Sequence, residues 1–204
     1  MKLWSEFYDY LMPWVPGCPS GMADLHLRMA ARKFCDGTLC WRDWLDNTTT
    51  IANTVVYDFE TDTTQDVVQL LHANFDGCSI PVIRQEDVPR DWRTNTCVGI
   101  SIFALTNAEQ FALVPVQAAG LIVQTEVALR PSVSATGIED HIFNSYAELI
   151  ALGAAGSLAA LPKKPYSDHT STAEARFREA INDTAADVLH SFSRAPVRVQ
   201  ARFL

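Results

Sequence analysis

The spacing of apolar residues changes character twice along this chain. Leu3, Phe7, Tyr10, Leu11 and Trp14 fall on one helical face, predicting a short amphipathic helix over residues 2–12 that Pro13 stops. After the turn residues Pro16-Gly17 and Pro19-Ser20-Gly21, a second helix is expected, with Ser20 as its N-cap and Asp24 in its first turn. It carries Met22, Leu25, Met29, Ala30 and Phe34 inward and Arg28, Arg32 and Lys33 outward, and Gly37 weakens or breaks it. From residue 51 the period drops to two. Ile51, Asn53, Val55, Tyr57 and Phe59 alternate with Ala52, Thr54, Val56, Asp58 and Glu60, which is a strand signature. Val67 to Phe75 runs into the hairpin turn Asp76-Gly77 and returns as Cys78 to Ile83. Cys97 to Leu105 reverses at Thr106–Glu109 into Phe111 to Val116, and Leu121 to Leu129 alternates up to Pro131. Residues 84–96 read as a loop.

Helical spacing then returns. A small-residue helix spans Ile138 to Leu161, a turn falls at Pro162-Lys163-Lys164-Pro165, and a charged helix runs from about Thr172 to Phe192. The last residues alternate again: Val197, Val199, Ala201 and Phe203 against Arg198, Gln200, Arg202 and Leu204. The order predicts an α+β protein, an antiparallel helical bundle of about four helices interrupted by an antiparallel β-sheet or sandwich. The helical part takes residues 1–49 and 132–192, the inserted β module 50–131, and an extended C-terminal arm 193–204.

Composition alters this picture little: 48% hydrophobic and 20% charged residues are ordinary for a globular chain of 204 residues. Charge alters it more. The net charge of −8 argues against a basic face that grips nucleic acid, yet residues 191–204 hold Arg194, Arg198 and Arg202 and no acid. An acidic body with a basic end points to an acidic partner surface or to another copy of the same body. The five cysteines show no paired spacing, and Glu6 and Asp9 interrupt any signal-peptide core. No apolar run reaches membrane-spanning length, so the expectation is a chain made in the cytoplasm with reduced thiols and no membrane contact.

Candidate chemistry is sparse. The five histidines form no HExxH or His-x-His pair. Cys35 and Cys40, five apart on a continuous helix, face different ways and read as small buried hydrophobes rather than zinc ligands. Asp140-His141 beside Ser145 lacks a Gly-x-Ser-x-Gly elbow, and Gly153-Ala154-Ala155-Gly156-Ser157 lacks the Gly-Lys-Ser of a phosphate loop. The glycines instead predict close helix–helix packing. No catalytic residue, cofactor or metal site is expected. The arm is the functional candidate: pockets for Val197, Val199 and Phe203, with arginine contacts to acids, make a β-addition segment.

The strings "HLRMAARKFC", "TVVYDF", "PVQAAGLIVQTEVALRPS", "YAELIALGAAGSLAALPKKPYSD", "RFREAINDTAAD" and "RAPVRVQARF" follow one another in an order that resembles the head–tail adaptor (connector) proteins of tailed bacteriophages, especially short-tailed ones. That resemblance implies a non-enzymatic virion protein at the head–tail interface. Its partners would be further copies of itself in a ring (usually a dodecamer), the portal protein, and the tail nozzle or tube. DNA would pass through the ring during genome retention and ejection without sequence-specific contact. The C-terminal segment of such proteins often reaches the portal, which assigns portal binding to Arg194, Val197, Arg198, Val199, Arg202 and Phe203. Two other readings stand beside it. One is a different virion ring, such as a tail terminator or completion protein. The other is a small cytosolic α+β ligand-binding protein or enzyme, with Trp41, Trp44, Tyr57 and His72 lining a pocket between helices and sheet.

Overall fold

A computed structural model describes residues 1–88, 99–106, 109–161 and 170–192. The protein is α+β, with four α-helices and antiparallel sheets among these residues. The chain does not start as a helix. Strand β1 (Lys2–Leu3) leads into a 3-10 turn (Trp4–Phe7) and the short α1 (Tyr8–Leu11). β1 pairs antiparallel with β10 (Gly137–Ile138), with Lys2 opposite Ile138 and Leu3 opposite Gly137. Extended backbone sends neighbours to opposite sides, so Leu3 is exposed and Trp4 takes the core position. The Trp4 indole Nε1–H donates to the Ala135 carbonyl at 2.8 Å. Of the expected helical face only Phe7 and Leu11 are fully buried, while Tyr10 is exposed.

Helix α2 (Ser20–Thr38) has Pro19 as its N-cap, and Asp24 accepts a hydrogen bond from the Tyr8 hydroxyl at 2.7 Å. Its buried face is Ala23, Leu27, Ala30, Ala31, Phe34 and Cys35; Leu25 and Met29, expected inside, are exposed by 48% and 53%. Small residues face the neighbouring helix because they permit close approach, and the larger apolar side chains are left on the outer stripe. Gly37 does not end the helix. A Cβ there would lie 2.6 Å from Ile181 Cγ2, so the glycine admits a neighbouring side chain. The helix stops instead at Leu39, in the left-handed region (φ 51, ψ 33), whose N–H donates to the Cys35 carbonyl at 2.9 Å.

Eight further strands follow: β2 (Arg42–Trp44), β3 (Thr48–Thr49), β4 (Val56–Asp58), β5 (Gln65–Phe75), β6 (Cys78–Ile80), β7 (Ser101–Ala104), β8 (Gln110–Val114) and β9 (Ile122–Pro131). One sheet has the order β2-β9-β5-β6 with β3 also on β9; a second has the order β4-β8-β7. A parallel bridge from Val82 to Ile102 connects them. Pairing within these two sheets thus begins at Arg42, ahead of the residue 50 expected for the β module. The stretch read as a strand from residue 51 is extended only from Val56; before it, Asn53 has φ 62 and Thr54 N–H donates to the Ile51 carbonyl at 3.1 Å. The Tyr57 hydroxyl ties this turn down, accepting from Ile51 N–H and donating to the Thr54 carbonyl. Asp76 (φ 47) and Gly77 (φ 79) form the β5–β6 hairpin, both in the left-handed geometry that two-residue turns require. Along β5 the buried residues are Val67, Leu70, Ala73 and Phe75, because register shifts between Val67 and Gln69 and between Leu70 and His72 break the strict alternation.

Helices α3 (Asp140–Ala159) and α4 (Thr170–Phe192) complete the fold. One continuous core joins Phe7, Leu27, Phe34, Ile142 and Ile150 of the helical layer to Val127, Leu129, Phe111 and Leu113 of the sheets. A smaller cluster of Phe103, Ala112 and Val114 lies under Val56, Ile83, Val88 and Leu105. In the expected 84–96 loop, Gln85–Asp87 forms a 3-10 turn. The turn at Pro162–Pro165 and the arm at 193–204 lie outside the described residues.

Candidate functional site

The portal-binding candidates Arg194, Val197, Arg198, Val199, Arg202 and Phe203 all lie outside the described residues, and the last described residue before them is Phe192, at the end of α4. What the structure describes is the mount on which they follow. In α3 the run from Ile150 to Gly156 is buried throughout, being packed against both α2 and α4. The glycines mark the crossing with α4. A Cβ on Gly153 would lie 2.6–2.8 Å from the Phe177 ring, and one on Gly156 would lie 3.2 Å from the Glu174 backbone nitrogen. Phe177 in turn stacks on Phe34 of α2 (centroids 6.2 Å, interplanar 29°) with Lys33 Nζ 5.9 Å above its ring centroid. The first half of α4 is clamped here. Further along, Asn182, Asp183, Ala186, Asp187, Leu189 and His190 are exposed.

This packing fixes the sign of one substitution. In an exposed helix interior Gly→Ala stabilises by about 1 kcal/mol through propensity. Gly153→Ala is expected to destabilise, since the ring it meets is itself wedged against Phe34; the overlap costs about 1–3 kcal/mol. Adding Phe177→Leu relieves the clash, so the urea midpoint of the double variant should lie above that of additive single changes. Simple additivity would show that the two residues do not press on each other.

Two clefts open beside the mount. A groove of about 420 Å³ between α2, α3 and α4 is lined by His26, Met29, Lys33, Ser157, Glu174 and Phe177, among others. His26 Nδ1 and Ser157 Oγ are 2.7 Å apart, and Ser157 Oγ–H donates to the Ala154 carbonyl at 2.9 Å. With that proton committed, Oγ accepts from His26 Nδ1–H. Such a pair is oriented as a helix-to-helix tie, since a general base would present an unprotonated nitrogen to the hydroxyl. Burial holds the His26 pKa below its ordinary value.

The second cleft, about 620 Å³, lies between α2 and the sheets and is rimmed by Asp58, Asp62, Glu109 and an ion-pair network. Arg32 Nη1 meets Asp66 Oδ2 at 2.8 Å, Arg130 Nε meets the same oxygen at 3.4 Å, and Arg130 Nη1 meets Asp36 Oδ2 at 3.0 Å. The arginines are thereby committed to fastening α2 onto β5 and β9.

Trp41, Trp44, Tyr57 and His72, the expected lining of a pocket between helices and sheet, line neither of these clefts. Trp41 and Tyr57 are buried in the core. Trp44 and His72 flank Glu126 in one row across β2, β9 and β5, with Trp44 exposed and His72 Nε2 4.0 Å from Glu126 Oε2. The Asp140-His141-Ser145 string is not assembled either: Asp140 Oδ1 pairs with the Met1 amine at 2.7 Å, whose hydrogen bond pulls the carboxyl pKa down, and His141 and Ser145 are exposed. No group of three or more His, Cys, Asp or Glu that could hold a metal occurs among the described residues.

Cys35 is buried and Cys40 half-buried, but the two do not share one continuous helix as expected. The helix ends before Cys40, at the left-handed Leu39, and the Cys40 N–H donates to the Thr38 hydroxyl at 3.3 Å. The signal available in the sequence was Gly37, read as a helix breaker two residues too early. No family model matches the chain, and no curated protein matches it.

Proposed function

We propose that this chain is a structural protein of a bacteriophage virion: copies of it form a ring that joins the capsid portal to the tail and extends the DNA channel, with the C-terminal arm docking on the portal. The observation that carries the reading is an acidic body joined to an arginine-bearing, alternating tail through a helix clamped at its base. A closed ring of identical copies needs two different, complementary patches on each subunit, and this charge partition supplies a basis for them. The exposed face of α4 adds Glu179, Asp183 and Asp187. Acids on a channel wall repel phosphate and let DNA slide, whereas a basic wall would hold it. The proposed role involves no chemistry.

The test is electron microscopy of the purified protein, alone and mixed with its portal. Rings seated on the portal are expected, and a monomer indifferent to the portal would overturn the proposal. Removing Arg194–Leu204 should abolish docking while leaving the circular dichroism spectrum and unfolding midpoint unchanged. Undiminished docking by the truncated chain would move the portal contact elsewhere on the body.

A further inference from the structure

Strand β4 is the outermost strand of its sheet, and among the described residues no strand pairs with its outer edge. On the inner edge Leu113 N–H donates to the Val55 carbonyl at 3.0 Å, and Phe59 N–H donates to the Glu109 carbonyl at 2.9 Å. An antiparallel ladder uses alternate residues, so the N–H and C=O groups of Val56 and Asp58 point outward, where another strand can take them. The side chains alternate as well. Tyr57 and Phe59 are buried on one face, while Asp58 and Glu60 are exposed on the other. The acidic face continues into the 620 Å³ cleft, which Asp58, Asp62 and Glu109 rim. Arg32 and Arg130 in the same cleft are held by Asp66 and Asp36, and Asp58 accepts a hydrogen bond from the neutral Gln110 amide at 2.7 Å. The edge is thus apolar on one side and negative on the other.

We infer that this edge binds residues 197–204 of a second copy of the chain as an added strand. The pattern of that segment complements β4. Val197, Val199, Ala201 and Phe203 extend the face of Tyr57 and Phe59, and Arg198 and Arg202 lie beside Asp58 and Glu60. Residues that face each other across a ladder share one side of the sheet, so a single register satisfies both matches, and a slip of one residue spoils both. Pro196, which has no N–H to donate, stands just before the paired residues, where an edge strand tolerates it.

Reach assigns the edge to a different copy. α2 and α4 run side by side in the same direction: Lys33 lies over Phe177, and four residues on in each helix Gly37 meets Ile181. Phe192 therefore lies about 24 Å along the helix axis beyond the level of Arg32, the α2 residue that lines the acidic cleft. The chain from Phe192 to Val197 spans at most about 18 Å, so a strand starting at Val197 does not return to its own cleft. Each copy instead gives its arm to one neighbour and receives another's, a head-to-tail contact of the kind that closes a ring. The inference concerns copies that have not met the portal and does not rest on portal docking; portal and neighbour compete for one segment.

The test uses the full-length protein without portal. With benzoylphenylalanine in place of Phe203, photolysis of a mixture of unlabelled and isotope-labelled chains should join residue 203 to the segment 55–63 in two-chain products that carry both labels. Asp58→Arg combined with Glu60→Arg should weaken self-association in sedimentation velocity by about tenfold or more, as should Arg198→Glu combined with Arg202→Glu. All four changes in one chain should bring it back to within about threefold of wild type, a recovery that a folding defect would not give. The inference is overturned by a wild-type protein that stays monomeric, by crosslinks confined to single chains or directed away from residues 55–63, by association that either charge reversal leaves unchanged, or by losses that the combined variant does not recover. Rings that still form on the portal with Asp58 and Glu60 reversed would leave the ring reading standing and overturn only this inference.

Discussion

Phe34→Ala is expected to lower the unfolding free energy by about 3–5 kcal/mol, the range for removing a fully buried phenylalanine. This ring is where three helices meet. It projects from α2 with no exposure, lies 5.0 Å from the Tyr146 ring of α3, and stacks at 6.2 Å on Phe177 of α4. The surroundings collapse poorly into the space it leaves, because Phe177 is held by Gly153 on its other side. A total stability of about 5–15 kcal/mol is usual for a single domain, so the variant should populate unfolded chain at growth temperature. Urea unfolding followed by fluorescence and circular dichroism measures this directly. Phe34→Leu, which keeps most of the volume, should cost less than half as much. If Phe34→Ala cost no more than an ordinary surface change of about 0.5 kcal/mol, the meeting of α2, α3 and α4 would not be a core contact.

Gly137→Ala should cost about 2–3 kcal/mol, the upper part of the overpacking range, for a different reason. The φ of Gly137 is not left-handed, so an alanine could adopt its backbone conformation. The obstacle is contact: a Cβ would lie 2.1 Å from the Lys2 carbonyl oxygen and 3.2 Å from Leu3 Cα, both backbone atoms of the paired strand. Relief requires β1 to leave β10, and with it go the Trp4 indole bond to Ala135 and the Met1–Asp140 ion pair. Hydrogen exchange gives the sharper reading. Amides of residues 2–7 should lose protection in the variant, while those of β5 and β9 keep theirs. Unchanged protection at residues 2–7 would mean that β1 accommodates the methyl group without leaving β10.

Where a feature depends on neighbouring residues alone, it was legible in the sequence. The Asp76-Gly77 hairpin, the alternation of β9 and the small-residue packing surface of α3 all belong to this class. Several of the misreadings share one cause, a distant partner; the others turn on a single local residue. Leu3 lost its place in the core because a strand more than a hundred residues away claimed the first turn as an edge. Leu25 and Met29 looked like the apolar face of α2 because they are large, but close approach to α3 favoured alanines. The 51–55 alternation ended in a turn fastened by the Tyr57 hydroxyl. Neither cleft was visible, since Arg32, Asp66 and Arg130 meet only after α2 lies across β5 and β9. The end of α2 was misplaced because one left-handed residue decides whether Cys40 continues the helix, and Leu39 is an unusual residue to take that role. The arm was legible as a pattern of alternating charge and apolar character, and its proposed use rests on that pattern and on the family resemblance.

The seam between β1 and β10 also bears on the order in which this protein is made. Trp4 and Ala135 are 131 positions apart. As the chain leaves the ribosome, α1 and α2 emerge first, and Phe34 then waits uncovered until α3 and α4 have been synthesised. At about 5–20 residues per second that interval lasts on the order of ten seconds. All that time the nascent chain presents an unpaired strand edge and an apolar helix face, which is the condition under which chains aggregate or engage chaperones. Folding of the helical layer is therefore a late event, set by the last helix rather than the first.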